Sequence, residues 1–296
     1  MSAVKFSIRN YVAVIAVLIV LVMTVLDVTV VNVALPVMAD KFGISDSDAV
    51  WIVTVYQLVI TMLLLPMSSF GDRYSYRRCF MVGVLVFTIS SVLCALSGSF
   101  AMIVAARALQ GVGAASVMGV NIALTRLIYP REVLGRGLAL NAMVIAIATA
   151  AGPTIAGAVL SVASWHWLFL INVPFGLVAF ILGKKLLPSN PPREHCGHYD
   201  WVSAILNVIV FGLIFLSVGN FARKRDVTVN ACMLAVGVVT GIFYVRRQLG
   251  MESPMLPVDL FRIRLYSLSI YTSVCSFIAQ NLAMIALPFM FLNSYG

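Results

Sequence analysis

Nine long apolar runs, separated by short polar segments, organise this 296-residue chain. They are Tyr11–Pro36, Ala49–Phe70, Cys79–Leu96, Phe100–Leu124, Gly137–Val162, Trp167–Leu187, Trp201–Phe221, Val227–Val245 and Tyr266–Leu292. Each is long enough to cross a hydrocarbon layer as a helix, and none alternates with period two as barrel strands do. The pattern predicts an all-α polytopic membrane protein. Six closely spaced helices (1–187) come first, then a polar linker with three prolines (188–200). A two-helix hairpin (201–246), a connector (247–265) and one further helix (266–296) follow.

Composition agrees with that class. Hydrophobic residues make up 61% of the chain and charged residues 10%, and the mean hydropathy is +1.02, which leaves too little polar surface for a soluble domain. The net charge of +9 does not read as a nucleic-acid patch, because the basic residues sit in alternate loops. With the N-terminus inside, fifteen of them fall on the inner side. Lys41, Arg223, Lys224 and Arg225 fall outside, and Arg107 lies within a run. That imbalance predicts a multi-pass protein of the cytoplasmic membrane with its N-terminus in the cytoplasm. The Arg223–Arg225 cluster at the tip of the hairpin runs against the rule. The first run is too long for the apolar region of a signal peptide and contains an acid.

The five cysteines form no disulfide framework. His195, Cys196 and His198 cluster in the linker but lack a fourth ligand, so no metal site and no cofactor is expected.

Two opposite charges lie deep within runs. Asp27 sits roughly 24 Å along the first helix, in a hydrocarbon layer about 30 Å thick. Arg107 enters the fourth run from the same side, at roughly 10 Å depth. Charges in such places mark ion or substrate routes, or are tied to a neighbouring helix. Similar depth makes the two a candidate proton-coupling pair. An apolar setting favours the neutral carboxyl, whereas a nearby guanidinium favours the charged one. Asn32, near Asp27, and Gln110, one turn from Arg107, are candidate cavity residues, as are Gln280 and Asn281 in the ninth run. The loop after the second run holds Asp72, Arg73, Arg77 and Arg78, a candidate cytoplasmic latch or ordinary positive-inside decoration. In the fifth run Pro153 is expected to bend the helix, and Ala148, Gly152 and Ala156 make a small face for close packing. Trp165 and Trp167 belong at the outer interface.

Together these stretches resemble the major facilitator superfamily, and within it the fourteen-helix drug:H⁺ antiporters. The first-span motif matches at Asp27, Thr29, Asn32, Ala34 and Pro36, and the fourth-span motif at Arg107, Gln110 and Gly111. The loop motif matches at Asp72, Arg73 and Arg77 but has Ser68 and Ser75 where the family usually has glycine, a departure expected to soften the loop. The antiporter motif of span five matches at Gly152, Pro153 and Gly157, with Ala156 replacing a glycine. The stretch from Trp165 to Pro174, with His166 where arginine is common, and Pro257–Arg264 are also similar.

The resemblance implies a six-helix bundle and proton-driven efflux of lipophilic, often cationic compounds, with H⁺ and the lipid bilayer as partners. It makes Asp27 a protonation site, Arg107 its partner, Asp72–Arg78 a gate, and Gly152, Pro153 and Gly157 a hinge or seal. The family needs about fourteen spans, so nine suggest a fragment that does not transport alone. The alternatives are a nutrient importer on the same fold and a non-transporting membrane protein. An enzyme has no clustered nucleophiles or paired acids to support it.

Overall fold

A computed structural model describes residues 8–188, 190, 199–222, 227–251 and 254–295, and for 8, 9, 222 and 280–295 the backbone path alone. The linker cluster His195, Cys196 and His198 and the hairpin tip Arg223–Arg225 lie outside the described residues, as do the side chains of Gln280 and Asn281. The described residues form eleven α-helices. They are α1 Ile8–Phe42, α2 Asp46–Ala49, α3 Trp51–Arg73, α4 Tyr76–Ala95, α5 Phe100–Ile128, α6 Leu134–Val162, α7 His166–Leu170, α8 Asn172–Leu186, α9 Trp201–Ala222, α10 Val227–Leu249 and α11 Arg264–Tyr295. Among the described residues, eight helical segments are long and apolar enough to cross a membrane, and the ninth run falls within α11.

The turns follow from local chemistry. Gly43, with φ +61°, ends α1 in the left-handed region that only glycine enters freely. Serine oxygens at 45, 75 and 99 cap the helices that follow them, each accepting a backbone N–H three residues on. At Ser75 the serine caps the N-terminus of α4 from ordinary extended backbone.

Contacts divide the chain into two compact units, Met1–Gly241 and Ile242–Gly296. In the first, α5 packs between α3 and α4, while α1 lies against α6 and α8. Small residues set the spacing. A Cβ on Gly113 would stand 2.6 Å from the Phe87 backbone nitrogen, so α4 and α5 meet backbone to backbone. The sixth run is not one helix. Pro174 offers no N–H to the Leu170 carbonyl and clashes with it, and α7 ends at Leu170. By contrast, α6 stays helical through Pro153.

The same proline logic docks α9. Pro66 frees the carbonyl of Met62 within α3, and the buried Asn207 amide of α9 donates to that oxygen at 2.8 Å. One turn on, the Tyr199 hydroxyl donates to the Pro66 carbonyl at 3.1 Å. Burial pushes the Tyr199 hydroxyl up to about 12, so it remains a donor at physiological pH. Replacing Asn207 by leucine is expected to lower thermal stability by roughly 1 kcal/mol. Pro66→Ala restores an N–H for Met62 and makes that loss smaller. Equal losses in both backgrounds, read from melting of the purified chain, would remove the freed carbonyl from the account.

In the second unit, the Gln248 side chain accepts the backbone N–H groups of Met255 and Leu256 at 2.7 and 3.2 Å, tying the end of α10 to the connector. A 3₁₀ turn at Val258–Arg262 then leads into α11, with Phe261 edge-on to Tyr266.

Candidate functional site

Asp27 lies on the buried face of α1, with Val30 and Val31 on the next turn and only 3% of its surface exposed. Arg107 of α5 is wholly buried beside it, and its Nη1 donates to Asp27 Oδ2. The same nitrogen donates to Gln110 Oε1 at 2.6 Å, and Arg107 Nε donates to the Ile52 carbonyl of α3 at 3.0 Å. The guanidinium lies over the Tyr56 ring, 4.1 Å from its centroid, and within 5.9 Å of the Phe169 centroid. Asp27 Oδ1 accepts Gln110 Nε2 at 2.9 Å and Asn172 Nδ2 at 3.3 Å. Gln110 Nε2 also reaches the Ser91 hydroxyl of α4 at 2.9 Å.

Taking two charges out of water costs several kcal/mol per ion, on the order of the Coulombic gain, unless hydrogen bonds satisfy what remains. Here α1, α3, α4, α5 and α8 each supply an atom to that network. Among the described residues Arg107 Nη2 has no hydrogen-bond partner.

On its other side Asp27 borders a cavity of about 390 Å³ between α1, α6, α7 and α8. Its walls are aliphatic and aromatic, with Asp27 and Asn172 the polar exceptions. Asn172 reaches the carboxylate because the break before Pro174 makes it the first residue of α8.

Asp27, Arg107 and Gln110 thus come together, and Asn32 does not join them. Five residues turn a helix by roughly 140° beyond a full turn, and Asn32 is exposed on another face of α1. This corrects the shared cavity expected for that acid and amide. Asn172, Ser91 and Tyr56 were not singled out from the sequence. An asparagine two residues ahead of a proline inside an apolar run was the available signal for the first of them.

The proposed hinge residues also separate. Ala148, Gly152 and Ala156 are buried, and a Cβ on Gly152 would collide with the Thr29 side chain of α1. Pro153 and Gly157 are exposed, and Gly157 faces open space. Close packing in α6 therefore rests on Gly152.

At the far end of the bundle Asp72 and Arg77 of the candidate latch bond to other elements. The Tyr76 hydroxyl donates to the Asp72 carboxylate, and the Arg77 guanidinium donates to the Lys184 carbonyl in the last turn of α8. The Ser75 hydroxyl accepts the Arg78 backbone N–H at 3.3 Å. Asn190 bridges the segment, accepting the Tyr76 N–H at 2.8 Å and donating to the Gly71 carbonyl at 3.1 Å.

The family description Major Facilitator Superfamily matches residues 17–296. Over 281 residues the chain is 48% identical to YebQ of Escherichia coli, named an uncharacterized transporter, covering 95% of this chain and 62% of that protein. Over 295 residues it is 33% identical to the multidrug efflux pump LfrA of Mycolicibacterium smegmatis, covering 96% and 58%. A solved bacterial homologue of the human lysosomal transporter Spinster, inward-facing and unoccupied, is similar in fold at TM-score 0.50 and 17% identity, over 80% of this chain and 60% of that one. The chain spans about three-fifths of the length of the curated relatives it matches.

Proposed function

The chain belongs to the Major Facilitator Superfamily, and on that premise we propose that it forms the proton-coupling part of an antiporter exporting lipophilic cations across the cytoplasmic membrane. The observation that carries this reading is the Asp27–Arg107 pair, wholly enclosed yet bordering an apolar cavity. Charged Asp27 holds Arg107, Gln110 and Asn172 in one arrangement. Protonation removes the ionic attraction and frees the guanidinium to move. Each state favours a different helix arrangement, and a ligand that prefers one of them is linked to the proton in both directions. The name of LfrA and the mostly aliphatic cavity walls support lipophilic compounds as the cargo. The basic loops support an N-terminus in the cytoplasm, which puts the Asp72–Arg78 latch on that side.

Direct linkage is measurable on the purified chain in lipid nanodiscs. Ethidium affinity is expected to fall as pH is lowered, and to be flat over the same range in Asp27→Asn. An affinity that varies with pH equally in both proteins would place the coupling elsewhere.

A further inference from the structure

Pro66 leaves α3 short of one backbone bond, and three side chains from beyond the first six spans close on the helix around that point. Asn207 of α9 holds the Met62 carbonyl on the turn before the proline. Tyr199 donates to the carbonyl of Pro66 itself. Its ring lies edge-on to Phe70, with 5.7 Å between centroids, and to Trp201 at 4.8 Å. Asn190 is the third, and its amide bonds in both directions.

Gly71 lies in the last turn of α3, where carbonyls have no partner within their own helix. Tyr76 is the first residue of α4, where N–H groups have none. Asn190 donates to the Gly71 carbonyl at 3.1 Å and accepts the Tyr76 N–H at 2.8 Å, so one side chain satisfies both helix ends. Beneath this junction lies Cys79, only 4% exposed. Its sulfur is 3.7 Å from the Met67 carbonyl oxygen of α3 and 3.6 Å from that of Ser116 in α5. The end of α3 therefore covers Cys79. At Gly71 that end sits so close to α5 that a Cβ would collide with Val120.

Resting on the efflux reading above, in which Asp72–Arg78 is the cytoplasmic latch, we infer that Asn190 and Tyr199 are positioning residues that hold the hinged end of α3 down on α4 and α5 and so keep the latch closed. Asn207 fixes the turn before the hinge, and the other two fix the turns after it. Loss of either later contact lets α3 pivot at Pro66. The pivot uncovers Cys79 and draws Asp72 away from the Tyr76 hydroxyl.

Cys79 is a built-in reporter of that motion. Labelling of the purified chain in lipid nanodiscs with N-ethylmaleimide, read peptide by peptide in a mass spectrometer, measures how often the thiol is uncovered. Asn190→Asp keeps an acceptor for the Tyr76 N–H at the positive end of α4 and loses the donor to Gly71. It is expected to label Cys79 about tenfold faster, with the Tyr76 amide still protected from hydrogen exchange. Tyr199→Phe keeps the ring and removes only the hydroxyl, and is expected to raise the rate about fivefold. Cys94, buried elsewhere in the same unit, is expected to keep its rate in both variants. An unchanged Cys79 rate in Asn190→Asp would make Asn190 a cap for α4 alone and overturn the clamp, and so would an unchanged rate in Tyr199→Phe. Equal acceleration at Cys79 and Cys94 would also overturn it, because the bundle would then be loosening as a whole. None of these results touches the coupling at Asp27, which the pH dependence of ethidium binding tests by itself.

Discussion

Asparagine at position 27 is expected to reduce proton-driven export to background, while the chain still folds and inserts. The setting for this result is a transporter of the relatives' full length that carries this chain as its first part. The amide has the shape of the acid and keeps one oxygen, enough to accept from Arg107 on one side or from Gln110 and Asn172 on the other, but not from both. What it lacks is the ability to gain and lose a proton. It resembles the neutral state of the proposed cycle, so the bundle is expected to tolerate it. On that proposal the helices nevertheless lose the change in charge that would move them between arrangements. Ethidium efflux from energised cells measures this, with membrane insertion followed by a C-terminal reporter. Export that remains dependent on the proton gradient in Asp27→Asn would exclude the carboxylate from the mechanism.

Depth along each helix was legible in advance, and angular position was not. Rise per residue places Asp27 and Arg107 at one level, and helical spacing places Gln110 one turn from Arg107. These inferences need only the distance along a helix. Asn32 failed for the complementary reason, since it lies near Asp27 in sequence but points around the helix. Angular position depends on which neighbour each face meets, and no single span encodes that. Asn172 was hidden differently. Its run read as one continuous helix opening on two tryptophans, whereas the effect of Pro174 on Leu170 splits it and brings an amide to the carboxylate. The docking of α9 was readable in half. Pro66 announces an orphan carbonyl at Met62, but nothing local names Asn207 as the group that satisfies it. At the latch, the acid and arginines were visible, while Asn190, more than a hundred residues away, was not.

Arg107 tests the energetics of the pair rather than its chemistry. Replacing it by leucine leaves Asp27 buried with two amide donors and no cation, and the chain is expected to lose about 3–5 kcal/mol of stability, the usual result of stranding one member of a buried pair. Removing both charges, with Asp27→Asn and Arg107→Leu together, should recover most of that loss, because no uncompensated ion remains. Lysine at 107 is not a conservative change. Its ammonium cannot present the planar fork that now meets Asp27, Gln110 and the Ile52 carbonyl while lying over the Tyr56 ring. Thermal unfolding of the purified proteins at one lipid composition separates these cases. The decisive quantity is the difference between Arg107→Leu alone and the double variant. A double variant no more stable than the single one would mean that the two residues do not act as a pair, and the network around Asp27 would then be structural packing rather than a charge-controlled switch.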